Sequence, residues 1–345
     1  MDVYILNTSF KEIGVIDVYQ SLIWTTRYYE SGDFELYMPA TETALEILQI
    51  GNYVERGGDE NTMIIEKLEI KTDTENGNYI IASGRDLKSI LDRRVIIPQQ
   101  NISGLVLTEL YSLINTICGN AAEAARKFPN FKTATISQPP QDTINAQVTG
   151  DVLYNYIVEV CKTYGYGWKI TRSGTNLTCE IFVGVSRPLV HFSPEFDNLI
   201  NTDYVINATN YKNMAYALGE GEGTARKSRP IPTKQPQGMN RREMYVDACD
   251  VSSNEGAISL PDYMNLLYQR GSEKLAENPI TQDFSGSVIS DIYKYKTDYN
   301  VGDIVTVENE YRITAETRII EMIESWSADK MYTAIPTFEN WEVTA

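Results

Sequence analysis

A single histidine among 345 residues leaves Ser-His-Asp chemistry and histidine-based metal binding resting on His191 alone. Its place between Val190 and Phe192, in a β-rich run, makes it a structural residue. Cysteine is scarce as well. Cys118, Cys161, Cys179 and Cys249 form no CxxC pair, so a zinc site lacks its spacing and a disulfide scaffold is not expected in so long a chain. The four are expected as buried free thiols. No apolar run approaches the roughly 20 residues that cross a bilayer, and Met1 to Asn7 lacks the basic and apolar regions of an export signal. Synthesis that ends in a cytoplasm, without stable membrane insertion, is expected. Positive charge is the last deficit: Lys and Arg number 30 against 47 Asp and Glu, a net charge of −17. Such a surface repels phosphate and anionic lipid, which argues against specific nucleic-acid binding.

What remains is an ordinary globular composition, 42% hydrophobic with a mean hydropathy of −0.30 and 23 tyrosines. At roughly 150 residues per domain the length suggests two or more units. Val15 to Tyr19 and Phe34 to Met38 read as antiparallel strands, followed by a short helix from Thr41 to Ile50. Met63 to Ile70 and Tyr79 to Ser83 flank Asp73-Thr74-Glu75-Asn76-Gly77, a hairpin signal because Asn-Gly tolerates positive φ. Leu105, Leu107, Leu110, Leu113, Ile114 and Ile117 recur at helical spacing, and Val152, Tyr156, Ile157 and Val160 do so again before Gly165. A second hairpin turns at Ser173-Gly174-Thr175-Asn176. Residues 219–240, rich in Gly and Pro, read as a long exposed loop, and a helix from Pro261 to about Glu277 precedes a final β-rich stretch.

The two β-rich regions echo each other. Gly51-Asn52-Tyr53-Val54, Ile64-Ile65-Glu66 and Tyr79-Ile80-Ile81-Ala82 find counterparts in Gly302-Asp303-Ile304-Val305, Ile319-Ile320-Glu321 and Tyr332-Thr333-Ala334-Ile335, in the same order at similar spacing. Duplication would place two similar units in one chain, so three chains would present six near-equivalent positions.

Gly32-Asp33-Phe34-Glu35-Leu36-Tyr37-Met38-Pro39 and Gly84-Arg85-Asp86-Leu87-Lys88-Ser89-Ile90-Leu91-Asp92-Arg93-Arg94, with Gly51 to Val54 and Ile64 to Leu68 between them, resemble the start of the tail-hub proteins of long-tailed phages and prophages. The resemblance implies an α+β fold with two β-barrel-like, tail-tube-like units in pseudo-repeat. These would be 1–95 and 188–218 plus 286–345, with a peripheral α+β domain at 96–187 and a smaller loop and helix insertion at 219–285. It also implies a homotrimeric, pseudo-hexameric ring at the virion tail tip. That ring would join a hexameric distal tail or tail-tube protein to tail-tip and receptor-binding proteins, around a channel for tape-measure protein and DNA. No cofactor, metal or catalytic signature accompanies it.

Candidate sites are few. Arg226, Lys227, Arg229, Lys234, Arg241 and Arg242 form the one basic cluster, a solvated loop or a dock for an acidic neighbouring subunit. Gly219-Glu220-Gly221-Glu222-Gly223 places carboxylates where a phosphate would sit and reads as a flexible linker. Glu66/Glu69 and Glu321/Glu324 lie three apart in strands, which points them to opposite faces and away from glycoside hydrolysis. Tyr28, Tyr29 and Trp24 supply a glycan- or receptor-binding face as the alternative to a hub, and a tail-associated peptidoglycan hydrolase is the other.

Overall fold

The computed structural model describes residues 1–73, 77–135, 139–289, 292–329, 331–339 and 341–342. Strands dominate, with four α-helices among the described residues: α1 (Glu42–Ile47), α2 (Val106–Ile117), α3 (Leu153–Tyr164) and α4 (Leu260–Ala276). This is the mixed α and β fold expected from the sequence. The strand orders are open paths, and among the described residues no sheet closes into a barrel.

Local sequence explains the elements. Phe34, Leu36 and Met38 are buried and alternate with more exposed residues along Asp33–Pro39, the period of a strand with one face on a core. Thr41 caps α1 by accepting from Ala44 N at 3.1 Å. The apolar residues of α2 fall on one buried side, and α3 stops where Gly165 adopts φ 69°. Lys67–Asp73 and Gly77–Arg85 form the first expected hairpin, whose turn residues 74–76 lie outside the described residues. Gly167–Ser173 and Asn176–Phe182 form the second.

The largest sheet runs in the order Ser186–Phe192, Ile304–Glu308, Thr314–Ser327, Ser21–Arg27, Asp33–Pro39, Gly77–Arg85, Lys67–Asp73. Thr314–Ser327 is its seam. Its first half pairs with Ile304–Glu308, and its second half lies between Ser21–Arg27 and Tyr332–Phe338. The first and last β-rich regions are therefore joined by main-chain hydrogen bonds.

Both regions turn the same kind of corner. Gly51 N donates to Ile65 O at 2.8 Å and Ile65 N to Asn52 O at 2.9 Å. Gly302 N donates to Ile319 O at 2.7 Å and Ile319 N to Asp303 O at 2.9 Å. Gly51 and Gly302 adopt φ of 88° and 98°, a left-handed conformation that favours glycine. Main-chain bonding thus matches Ile65 with Ile319, one residue away from the alignment suggested by side-chain identity.

Among the described residues there are three cores. One lies inside the first β-rich region, around Trp24, Phe34 and Leu36. A larger one runs from α2 and α3 into the last β-rich region, around Trp168, Phe192 and Tyr299. The third lies under α4. There Met214–Leu218, Ser228–Ile231 and Glu243–Asp247 make a three-stranded sheet covered by Tyr263 and Leu267. This corrects the reading of 219–240 as an exposed loop: its middle is a strand, held because Ala215 to Leu218 pair with Ile231 to Ser228 and bury Ile231.

Candidate functional site

The basic cluster sits on that small third unit, and all of its cations but Lys234 have partners within the chain. Arg226 donates from Nε to Gly219 O at 3.0 Å and from Nη2 to Leu218 O at 3.1 Å and Asp247 Oδ1 at 2.8 Å. Lys227 lies 4.7 Å from the Tyr263 ring centre and Arg229 lies 5.6 Å from that of Tyr268. Arg241 pairs with Glu243 and donates to the Tyr216 hydroxyl at 2.6 Å. Arg242 donates to Ala208 O at 2.8 Å, and Lys234 is exposed. The glycine-rich stretch is an ordered turn, correcting its reading as a flexible linker. Glu220 N donates to the Tyr263 hydroxyl at 2.7 Å, and Ser253 N donates to Glu220 Oε1 at 2.6 Å.

A second charged cluster gave no sequence signal and is far more enclosed. Arg56, 4% exposed, donates to Glu324 across the seam, with Nη1 3.1 Å from Oε1, and also pairs with Asp59. Its guanidinium lies 5.1 Å from the Trp24 ring centre and 4.7 Å from that of Trp326. Lys296 Nζ donates to Asp59 Oδ2 at 2.7 Å, and the Tyr332 hydroxyl to Glu324 Oε1 at 2.9 Å. Burial pushes the Asp59 carboxyl up, but Arg56 and Lys296 outweigh it and hold the group below its ordinary value. Two strand-borne Trp rings, one from each β-rich region, thus clamp a guanidinium that, together with Lys296, balances two buried carboxylates.

The motif residues are packing devices of the first β-rich region. A Cβ on Gly32 would lie 2.2 Å from Thr25 O, and one on Gly84 would lie 1.8 Å from Ile64 O. Asp86 ties the two motifs together: it accepts from Gly32 N at 2.8 Å and from Lys88 N at 3.0 Å, where it caps the short 3₁₀ helix Leu87–Arg93. Lys88, 3% exposed, donates to Arg27 O at 2.7 Å and faces the Trp168 ring at 5.4 Å. Burial disfavours both charges, raising the Asp86 pKa and lowering that of Lys88.

The alternative sites do not assemble. Trp24, Tyr28 and Tyr29 are 0%, 0% and 6% exposed, so they offer no glycan face. They are core because each meets another segment: the Tyr28 hydroxyl donates to Gly165 O at 3.1 Å and accepts from Gly184 N at 3.0 Å, and Tyr29 O accepts from Trp168 Nε1 at 2.6 Å. Glu66 pairs with Arg85 and Glu69 with Lys71; Glu321 pairs with Arg27, while Glu324 is the buried partner of Arg56. His191 Nε2 lies 3.2 Å from Glu308 Oε2, with its ring edge-on to Phe196. Cys118, Cys161 and Cys179 are buried thiols, and burial pushes Cys118 and Cys161 up to about 12. Cys249 departs from expectation: it is exposed, because it follows the edge strand Glu243–Asp247 on the small unit's surface. Among the described residues no cluster of His, Cys, Asp and Glu could hold a metal, and no helix is long and apolar enough to cross a membrane.

The model of the siphovirus ReqiPepy6 Gp37-like protein family matches residues 2–338. The chain belongs to this family. Members of phage and prophage tails share its fold. A tail protein from Neisseria meningitidis MC58 is 16% identical, with 98% of this chain and 96% of that one covered at a TM-score of 0.58. The 43 kDa tail protein of prophage MuSo2 from Shewanella oneidensis is 16% identical, with 98% of each covered at 0.59. Prophage tail protein gp18 from Listeria monocytogenes EGD-e is 10% identical, with 100% and 96% covered at 0.58. No curated protein matches the chain. The resemblance carried by the Gly32 and Gly84 motifs is borne out at the level of a phage tail protein family.

Proposed function

We propose that this family member is a non-enzymatic structural hub of a phage or prophage tail. It acts as a homotrimer whose two β units, at 1–95 and at 188–218 plus 286–345, make a pseudo-hexameric, barrel-like ring. Residues 96–187 form a peripheral domain, and the insertion assigned to 219–285 builds the small unit under α4 together with the strand Met214–Leu218. The observation that carries the reading is the pair of matching corners at Gly51 and Gly302, in a chain whose fold follows tail proteins over nearly its whole length. One chain then contributes two near-equivalent positions, and three chains face a six-fold neighbour.

On this reading the hexameric distal tail or tail-tube protein lies above the ring and the tip proteins below, at the virion tail tip. Tape-measure protein and DNA pass through the channel, where a net charge of −17 keeps the wall from gripping phosphate. The cluster from Arg226 to Arg242 docks an acidic neighbour through the exposed ends of Lys234 and Arg242.

Native mass across a concentration series, with electron-microscope views of the same sample, tests the hub. Three chains of 39.0 kDa in a ring with a central hole are expected. A chain that stays monomeric alone and in the presence of tail-tube partners overturns it.

A further inference from the structure

The largest sheet ends on a strand with one partner. Lys67–Asp73 pairs with Gly77–Arg85, and among the described residues nothing pairs with its other edge. Leu199–Asn207 likewise pairs along one edge only, with Thr281–Val288. An open edge is a template for another extended chain, and proteins usually blunt it with charge, proline or a cover. Lys67–Asp73 does carry Lys67, Glu69, Lys71 and Asp73, yet both strands also expose apolar residues: Ile70 is 54% exposed, Ile206 58% and Val205 42%. Ile70 stands opposite the fully buried Ile80, so it projects from the core face of its hairpin.

The chain contains a model for what covers such edges. At the seam, Ser21–Arg27 pairs antiparallel with the second half of Thr314–Ser327, with Trp24 opposite Glu324. Lys67–Asp73 is the counterpart of that half: it follows the matching corner, and its pairing of Lys67 with Ser83 repeats that of Glu321 with Thr337. Leu199–Asn207 is the counterpart of Ser21–Arg27, because Tyr204 faces Phe284 as Trp24 faces Phe34. The two open edges are thus the two sides of a joint that the chain makes once internally and leaves unmade at its ends.

We propose that Lys67–Asp73 of one copy of this chain pairs antiparallel with Leu199–Asn207 of the next copy. The inference rests on the hub reading and names its subunit contact. The internal seam sets the register: Ile70 lies opposite Tyr204, Leu68 opposite Ile206, and Lys71 opposite Asp203. Apolar residues then meet on the core face and opposite charges on the other. Because two different strands meet, the contact is head-to-tail and forms a ring where the rotation closes.

The test is cross-linking of Lys71→Cys with Asp203→Cys in one chain, in a Cys249→Ser background that leaves only buried thiols, read beside native mass. Oxidation is expected to give covalent species of two and three chains and none larger, while either cysteine alone gives none. Ile70→Lys with Ile206→Lys is expected to lower the native mass threefold while the circular-dichroism spectrum keeps its native form. A trimer that neither cross-links nor responds to these lysines overturns the strand pairing and leaves the hub standing. Links that extend past three chains support the pairing and overturn the three-membered ring. A chain that stays monomeric at its highest soluble concentration overturns the pairing, and with tail-tube partners added it overturns the hub as well.

Discussion

The chain holds two clusters of charge with opposite characters. From Arg226 to Arg242 the cations are dense in sequence, and the structure spreads them over carbonyls, rings and acidic neighbours on a small peripheral unit. Arg56 is alone in sequence, yet it is buried between Trp24 and Trp326 against Asp59 and Glu324, 268 residues away in the chain for the last of these. Density of charge along a sequence therefore says little about importance to the fold. Removing a charge is costly where it leaves partners desolvated, and that depends on burial.

The largest effect should come from Arg56→Ala. It leaves two buried carboxylates, Asp59 and Glu324, to share Lys296 alone, and a loss of about 3–5 kcal/mol in urea unfolding is expected. Lys234→Ala, in the exposed cluster, should leave the unfolding midpoint where it was; equal losses would break the comparison. Trp326→Ala removes one face of the clamp and should cost about 1–2 kcal/mol by the same measurement, within the range for a partly desolvated cation–π contact.

The pH response sharpens the contrast further. Asp59 has a folded pKa below its unfolded value, so its stabilisation is complete above about pH 4 and is lost as pH falls through the folded value. Urea midpoints followed from neutral to acid pH should fall steeply below about pH 4 in the native sequence and less steeply in Asp59→Asn. The smallest effect concerns thiols. A disulfide-exchange reagent should titrate Cys249 alone in the native protein and all four cysteines after denaturation. Prompt reaction at Cys118 or Cys161 would mean that the core is looser than their burial implies.

Much of the fold was legible because short-range signals made it. Thr41, Gly165 and the alternating Phe34, Leu36 and Met38 act within a few residues of themselves, so period and cap are visible in the sequence. The family signal was also local, since Gly32 and Gly84 are places where no Cβ fits. The clamp around Arg56 left no trace because its members come from four separate strands and loops. The reading of 219–240 as a loop failed for a related reason: Ser228-Arg229-Pro230-Ile231 has turn-like composition, and only pairing with Met214–Leu218 makes it a strand.

By itself the sequence determined the chain's secondary-structure periods, its acidity, its single histidine, and the echo between its two β-rich ends. Tertiary structure alone decided that Thr314–Ser327 fuses those ends into one sheet, that Trp24, Tyr28 and Tyr29 face inward, and that Lys67–Asp73 and Leu199–Asn207 are left with open edges. The physical reason is range. Caps, turns and amphipathic period are fixed by neighbours along the chain, whereas burial, charge pairing and strand edges are fixed by whichever distant segment arrives beside them.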